Sequence, residues 1–189
     1  MSLAHALLTS LLERPGSGLE LAKRFDRSIG YFWPATHQQI YRELARLEAA
    51  GFVCAVLVDG ARGGKKTYQI LPAGQEELAL WVQASQPLLL VRDELLVRLR
   101  AAAVVKTTSL ADELEGLAAQ HRQKLALYQE IEARDFPPGQ QSREQKLRHL
   151  VLKVGVDFEQ GRIDLCESAI KLLRDEINAQ IVNFNLNNG

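Results

Sequence analysis

Residues 30–53 read GYFWPATHQQIYRELARLEAAGFV, and this stretch decides the fold. Three consecutive aromatic residues precede Pro34, which disfavours helical backbone in the residue before it, so a new helix must begin after the proline. Thr36 and Gln39 have the spacing of a capping box, in which each side chain satisfies a free backbone group at a helix start. Apolar residues then recur at helical spacing, and Gly51 is placed to end the helix in a left-handed conformation. The stretch therefore predicts one capped amphipathic helix.

The side of this predicted helix (residues 36–50) that faces away from its apolar stripe carries long hydrogen-bonding side chains, with no carboxylate before Glu43. Amide and guanidinium groups can make paired hydrogen bonds to base edges in a DNA major groove. A solvated helix face is the alternative interpretation of the same pattern. The residues predicted to read bases are Thr36, Gln38, Gln39 and Arg42.

Two shorter helices are predicted before this helix, and a β-hairpin after it. A stripe of leucines (Leu3, Leu7, Leu8, Leu11 and Leu12) ends at Pro15-Gly16, and LELAKRFDRSI, with Leu19 on its apolar side, forms a second helix that Ser17 or Gly18 opens and Gly30 closes. Two strand-like runs, residues 52–58 and 67–71, flank a glycine-rich loop. Three helices followed by a basic hairpin are typical of a winged helix-turn-helix.

The loop between the strands, ARGGKK, holds three cations and no acid. A cationic, glycine-rich hairpin tip suits the phosphate backbone or the minor groove of DNA, although a solubilising turn has the same composition. The loop lacks the GxxxxGK[ST] order of a nucleotide-binding loop. The cations predicted to attract phosphate are Arg62, Lys65 and Lys66 of this loop, with Lys23, Arg24 and Arg27 of the second helix.

The sequence after the hairpin predicts helices only, which makes the fold mainly α with a small β-hairpin. A helix over residues 72–82, with Leu78, Trp81 and Val82 on one side, completes a DNA-binding domain of residues 1–86. Residues 87–189 are predicted to form a helical dimerisation domain. It would contain a helix over 88–105, a second over 110–135 with a heptad-like seam, and a third that Ser142 and Gln145 cap and that ends near residue 183.

The two long predicted helices cannot cover both of their own apolar stripes. Each methylene left in water forgoes about 0.8 kcal/mol, so a partner surface is expected, and a second copy related by two-fold symmetry is the simplest one. An intramolecular bundle with the 88–105 helix is the alternative. The residues predicted for the dimer interface are Leu147, Leu150, Val154, Phe158, Leu165, Leu172 and Ile177.

Composition narrows the class of protein. The 23 basic and 23 acidic residues balance, but residues 1–72 carry net +3 and residues 73–189 net −3, which suits a nucleic-acid-facing head. No apolar run is long enough to span a membrane, and two distant cysteines, Cys54 and Cys166, predict buried free thiols in a reducing cytoplasm. The four scattered histidines form no short-spaced constellation, so we expect no enzyme, no metal and no cofactor.

Five segments together resemble the PadR family of bacterial transcription regulators, in the branch with a long C-terminal helical region. They are residues 3–25, residues 28–53, the hairpin end KKTYQI, the segment PAGQEELALWV, and residues 150–173, LVLKVGVDFEQGRIDLCESAIKLL. The chain departs from the family in having Gln38 where glycine is frequent, and Leu71 where many members have a capping threonine.

The resemblance implies a dimeric DNA-binding regulator of transcription, repressor or activator, with residues 36–50 as recognition helix, Tyr41 near the DNA backbone and the last helices at the dimer interface. We therefore predict a homodimeric repressor that binds double-stranded DNA at a palindromic operator. Some family members bind flat aromatic compounds, so an effector pocket that Trp33, Trp81 and Tyr128 line is an alternative function. A winged-helix protein-interaction module that does not bind DNA is another.

Overall fold

The computed structural model describes residues 2–26, 33, 35–57, 66–85, 92–105 and 109–187, with residues 176–187 described by backbone alone. The protein is mainly helical with one antiparallel two-stranded hairpin, which confirms the predicted fold class. The elements are α1 (Ser2–Glu13), α2 (Gly18–Asp26), α3 (His37–Ala49), β1 (Val53–Leu57), β2 (Lys66–Ile70), α4 (Pro72–Gln83), α5 (Glu94–Ala102), α6 (Ser109–Asp135) and α7 (Arg143–Asn187). The chain divides into two compact units, Met1–Leu89 and Leu90–Gly189. The predicted boundary after residue 86 falls outside the described residues.

The first unit is a winged helix-turn-helix with a core of its own. Its helices and β1 meet around a cluster of buried apolar side chains: Leu7, Leu8, Leu11, Leu21, Ala22, Phe25, Ile40, Leu44, Leu47, Val53 and Leu78. Three leucine or valine residues predicted for this core are instead exposed. Leu12 and Val82 lie in the last turns of α1 and α4, at the rim of each apolar stripe, whereas Leu19 lies about 200° around α2 from Leu21.

The hairpin is joined to the turn between α1 and α2. Val53 pairs with Ile70 and Leu57 with Lys66, so the two strands are in register over their whole length. Gly16 adds a bridge to Tyr68, with an N–H···O distance of 3.2 Å in one direction and 2.9 Å in the other. The hairpin is thereby held beside the start of α2.

Glycine is required where α4 begins. A Cβ on Gly74 would lie 2.3 Å from the carbonyl oxygen of Phe52, which itself accepts the N–H of Leu71 at 2.9 Å. Leu71 gives α4 no side-chain cap, and Pro72 at the first position instead fixes the helical backbone. The close approach of α4 to the start of β1 therefore depends on a residue without a side chain.

The second unit packs three helices. Buried residues of α5, α6 and α7 share one cluster: Leu95, Leu110, Leu114, Ala118, Cys166 and Ala169. The helix predicted over residues 88–105 is shorter, because the Asp93 side chain accepts the N–H of Leu95 at 3.0 Å and caps α5 there. Cys166 is fully buried as predicted, whereas Cys54 of the first unit is only half-buried.

Helix α7 has two stripes of side chains, whereas its sequence pattern predicts a single apolar stripe. The stripe that packs on α6 runs at spacings of three and four through His149, Leu152, Val156, Glu159, Ile163, Cys166, Ile170 and Leu173. A second stripe, which we call the outer row, consists of Leu147, Leu150, Val154, Phe158 and Leu172, and each of these side chains is more than half exposed. At about 100° per residue, the outer row occupies a strip roughly 80° wide on the helix.

Candidate nucleic-acid interface

Helix α3 is built as the sequence predicts. Thr36 Oγ1 accepts the N–H of Gln39 at 3.2 Å, and Gln39 Oε1 accepts the N–H of Thr36 at 2.8 Å, so the capping box is complete. Gly51 follows the helix with a φ of 74°. Ile40, Leu44 and Leu47 are buried against the rest of the first unit, which fixes the side of α3 that faces outward.

All four predicted base-reading residues are exposed, Gln38 and Arg42 on the outward side of α3 and Thr36 and Gln39 at its N-terminal end. Gln38 and Arg42 lie one turn apart. Thr36 and Gln39 are also exposed, but each uses one polar atom in the capping box. The first turn contains no acidic residue, so the positive end of the helix dipole is not neutralised.

A second arginine on the same helix is held differently. Arg46 donates to both carboxylate oxygens of Glu43, with Nη2 2.6 Å from Oε1, and thereby neutralises the only acid in the middle of α3. Arg42 has no such carboxylate partner among the described residues. The two arginines therefore present different chemistry at successive turns of one helix.

Tyr41 connects α3 to α2. A Cβ on Gly18 would lie 2.3 Å from Cε1 of Tyr41, so the ring rests on the first residue of α2, yet 44% of Tyr41 remains exposed. Burial raises the pKa of nearby Tyr68, and the charge of Glu48 and the neighbouring Tyr41 raise it further, so its hydroxyl stays neutral. Tyr41 is thus placed between α2, α3 and β2 with an exposed edge.

The predicted phosphate-binding cations differ in how exposed they are, and some lie outside the described residues. Lys23 on α2 and Lys66 at the start of β2 are exposed. Arg24 is half-buried and donates from Nη1 to the carbonyl oxygen of Ser10 at 3.2 Å, and burial, then the charge of Arg14, lowers its pKa. Arg27, Arg62 and Lys65 lie outside the described residues.

The three aromatic residues predicted to line an effector pocket have separate surroundings. Trp81 stacks on buried His5 with ring centroids 4.4 Å apart, and His5 Nε2 lies 3.2 Å from Glu77 Oε1, which joins α1 to α4. Tyr128 is buried between α6 and α7, where a Cβ on Gly155 would lie 3.1 Å from its ring. Trp33 is 41% exposed.

The predicted dimer residues fall mainly on the outer row. Leu147, Leu150, Val154, Phe158 and Leu172 belong to it, Leu165 is half-buried on the same side, and the side chain of Ile177 is outside the described residues. Glu159 is not among the predicted residues, although it is 3% exposed and hydrogen-bonded to Nδ1 of His121. The spacing of three and four through Val156, Glu159 and Ile163 was the available signal, but an apolar pattern does not include a carboxylate.

The described ranges lack two features that would indicate other classes of protein. No group of three or more His, Cys, Asp or Glu side chains there could hold a metal ion. None of the helices described is both long and apolar enough to cross a membrane.

Two family models match consecutive parts of the chain. Residues 7–80 match the transcriptional regulator PadR-like family, and residues 91–174 match the family described as virulence activator alpha C-term. A Mycobacterium tuberculosis protein named "Probable transcriptional regulator Rv1176c" is 37% identical, over 93% of this chain and all of its own length. The negative transcriptional regulator PadR of Bacillus subtilis is 26% identical, over 90% of this chain and 97% of its own.

Solved structures agree with these matches. The Vibrio cholerae virulence activator AphA has a TM-score of 0.76 and 34% identity, covering 95% of this chain and 99% of its own. Bacillus subtilis PadR in complex with operator DNA has a TM-score of 0.77 and 25% identity, covering 92% and 99%. The same PadR protein in complex with p-coumaric acid has a TM-score of 0.73 and 25% identity, covering 91% and 98%. On this evidence the chain belongs to the PadR-like family of transcriptional regulators.

Proposed function

We propose that this protein is a sequence-specific regulator that binds double-stranded DNA as a homodimer in the cytoplasm and represses transcription from a palindromic operator. Helix α3 enters the major groove and the hairpin lies against the adjacent backbone. The observation that carries the proposal is the outward side of α3, which combines exposed Gln38 and Arg42 with a first turn free of acid.

Affinity and specificity come from different residues. Lys23, Lys66 and the exposed edge of Tyr41 contact phosphates, with Arg27, Arg62 and Lys65 as further predicted contacts, and these position the protein on any sequence. Because phosphate contacts release counterions, this part of the affinity falls steeply with salt. Arg24 contributes less directly, since its Nη1 is used on the Ser10 carbonyl.

Base reading rests on α3. Arg42 donates to acceptors on a base edge, and Gln38 adds a second contact one turn earlier. A good bidentate contact discriminates against a wrong base by about 1–3 kcal/mol. Thr36 and Gln39 stand at the end of α3 that a recognition helix directs towards the bases.

The homodimer is supported by the outer row of α7. Fully burying a side chain of this size contributes about 1.5–3 kcal/mol, and five of them stand in water in a single chain. A second copy covers them with an identical row, and this sets the separation of the two α3 helices on DNA. Residues 1–86 then form the DNA-binding domain and residues 87–189 the dimerisation domain.

Repression is supported by a relative. The Bacillus subtilis protein is named a negative transcriptional regulator and has been solved in complex with operator DNA. The palindrome follows from two-fold symmetry, because a symmetric dimer places two identical reading helices on inverted half-sites.

Mutation of the two arginines on α3 tests the proposal. A duplex selected by the wild-type protein from a random pool, and a scrambled duplex, are titrated by fluorescence anisotropy at several salt concentrations. Arg42→Ala weakens binding to the selected duplex about 5- to 150-fold and reduces its preference over the scrambled duplex. The matched control, Arg46→Ala combined with Glu43→Ala, removes both charges of the ion pair together and changes both quantities little. Equal losses from both variants on both duplexes contradict the proposal.

A ligand-responsive regulator is the second candidate, and the p-coumaric acid complex of the Bacillus subtilis relative favours it. A flat aromatic acid would release the protein from its operator. Trp33 and Trp81 make the test direct, since binding near either one quenches tryptophan fluorescence. A titration with p-coumaric acid that changes neither the fluorescence nor the operator affinity contradicts this candidate.

A further inference from the structure

The capping box of α3 fixes which way the Gln39 carboxamide points. The backbone N–H of Thr36 can only donate, so the Gln39 atom that it meets at 2.8 Å must be the carbonyl oxygen. The amide nitrogen is therefore on the other branch of the carboxamide, directed away from the backbone. No acceptor within the described residues engages that nitrogen, and the residue is exposed.

Two further capping boxes lie in the described part of the chain, and the one in α2 shows that capping does not require a glutamine. Glu20 occupies the equivalent position in α2 and accepts the N–H of Ser17 at 2.8 Å. Gln145 does so in α7, where it accepts the N–H of Ser142 at 2.9 Å. A carboxylate caps equally well and complements the helix dipole better, so the neutral amide at the start of α3 has a cost in helix stability.

We propose that Gln39 is a fixed hydrogen-bond donor that reads an acceptor on a base edge in the major groove: O6 or N7 of guanine, O4 of thymine, or N7 of adenine. The proposal rests on the proposed function, since it needs α3 in the major groove. Paired recognition of adenine requires the oxygen and nitrogen of one amide side by side against the base. The Gln39 oxygen is turned to the Thr36 backbone instead, so the residue cannot make this paired contact and acts as a donor alone. It selects base acceptors and excludes cytosine, which presents only a donor in the major groove.

The consequence is a constraint on the operator. Each half-site contains one base pair, facing the first turn of α3, at which guanine, thymine or adenine, but not cytosine, presents an acceptor to Gln39. Arg42, with five donors, also prefers acceptors, so this end of α3 recognises an acceptor-rich edge.

The experiment uses the full-length protein and a duplex that the wild type selects from a random pool. Every base pair of one half-site is changed in turn, and 7-deazaguanine replaces each guanine to remove N7 alone. Gln39→Glu keeps the capping box, as Glu20 does in α2, but removes both amide hydrogens. Gln145→Glu is the matched control, with the same cap and the same change of charge in the second unit.

The expected result is a loss confined to one base pair. Gln39→Glu binds the selected duplex about 10- to 100-fold more weakly than wild type and no longer discriminates at that position, while Gln145→Glu binds as wild type does. Gln39→Met also loses the discrimination without adding a charge, which separates the lost donor from phosphate repulsion. A melting temperature of Gln39→Glu equal to that of the wild type shows that the fold is intact.

Two results overturn the proposal. One is unchanged discrimination at every base pair in both Gln39 variants. The other is an equal loss on selected and scrambled duplexes, which would place the amide on a phosphate. A wild-type protein that selects no sequence would overturn the proposed function itself, whereas the first two results leave that function standing.

Discussion

The two compact units differ in how their exposed apolar side chains are arranged: in the first unit they are distributed over α1, α2, β1 and α4, whereas the second unit has a row of them along α7. In the first unit, α1 to α4 and the hairpin surround one cluster, and the outward side of α3 is polar. In the second unit, one stripe of α7, from His149 to Leu173, is packed against α6, while the outer row is exposed to water. A row of exposed apolar side chains on one helix indicates a partner surface, whereas a polar helix side beside a closed core is suited to recognition. The proposed division between DNA reading and self-association rests on this difference.

The largest expected effect is on the outer row. Val154→Glu combined with Phe158→Glu places two charges where the proposed interface is apolar, so we expect dimerisation to weaken more than a hundredfold. Sedimentation equilibrium measures this directly. Gln145→Glu, on the opposite side of α7 by helical geometry, is the control and is expected to leave assembly unchanged. A double variant that still self-associates like wild type would show that the outer row is not the interface.

The core of the first unit provides the next effect. Gly74→Ala forces a methyl group to within 2.3 Å of the Phe52 carbonyl unless α4 moves, so we expect a loss of about 2–4 kcal/mol in the free energy of unfolding. Chemical denaturation followed by tryptophan fluorescence reports it through Trp81, and far-ultraviolet circular dichroism follows the helices of both units. Gly116→Ala in α6 meets no atom within 4 Å and is expected to stabilise by up to about 1 kcal/mol. Equal stability of the two variants would contradict the close approach of Gly74 to the Phe52 carbonyl oxygen.

The smallest effect concerns how α5 is held in the second unit. Arg162 of α7 donates to Asp93, and the two side chains are 19% and 21% exposed. Burial alone would raise the pKa of Asp93, but the hydrogen bond and charge of Arg162 and the N–H groups of Leu95 and Leu96 together lower it. Asp93→Asn keeps the cap and removes the charge, so we expect a loss of about 1 kcal/mol at pH 7.

The sign of the pH dependence follows from the lowered pKa. The Asp93 contribution is present above the unfolded value of about 3.9 and is lost as pH falls through the lower native value, so the difference between variant and wild type shrinks below about pH 4. Denaturation at pH 7 and at steps down to pH 3 measures it. Asp157→Asn, in an exposed pair with Lys153, is expected to change stability little at any pH. A constant difference between Asp93→Asn and wild type across the range would exclude the ion pair as its cause.

A structural feature can be predicted from the sequence when residues close together in the chain determine it, but not when it depends on contacts between distant residues. The capping boxes of α3 and α7 and the left-handed Gly51 were predictable, because a few neighbouring residues determine each of them. The stripe of α7 that packs on α6 was not predictable, because it includes the buried carboxylate of Glu159, whose partner, His121, lies on another helix. The contact of Tyr41 with Gly18 was likewise beyond a local pattern.

The site shows the same limit. Sequence spacing placed Gln38 and Arg42 on the outward side of α3, but it could not show that Glu43 holds Arg46 or that Arg24 turns towards Ser10. Those two contacts decide which cations remain available for DNA. They depend on side-chain conformations that neighbouring residues select after folding.

Sedimentation equilibrium of the wild-type protein over a range of micromolar concentrations tests the central claim most directly. If a second copy covers the outer row, the mass is twice the 21.1 kDa of one chain. A mass of one chain at every concentration would contradict the account, because the outer row would then remain in water in the working protein.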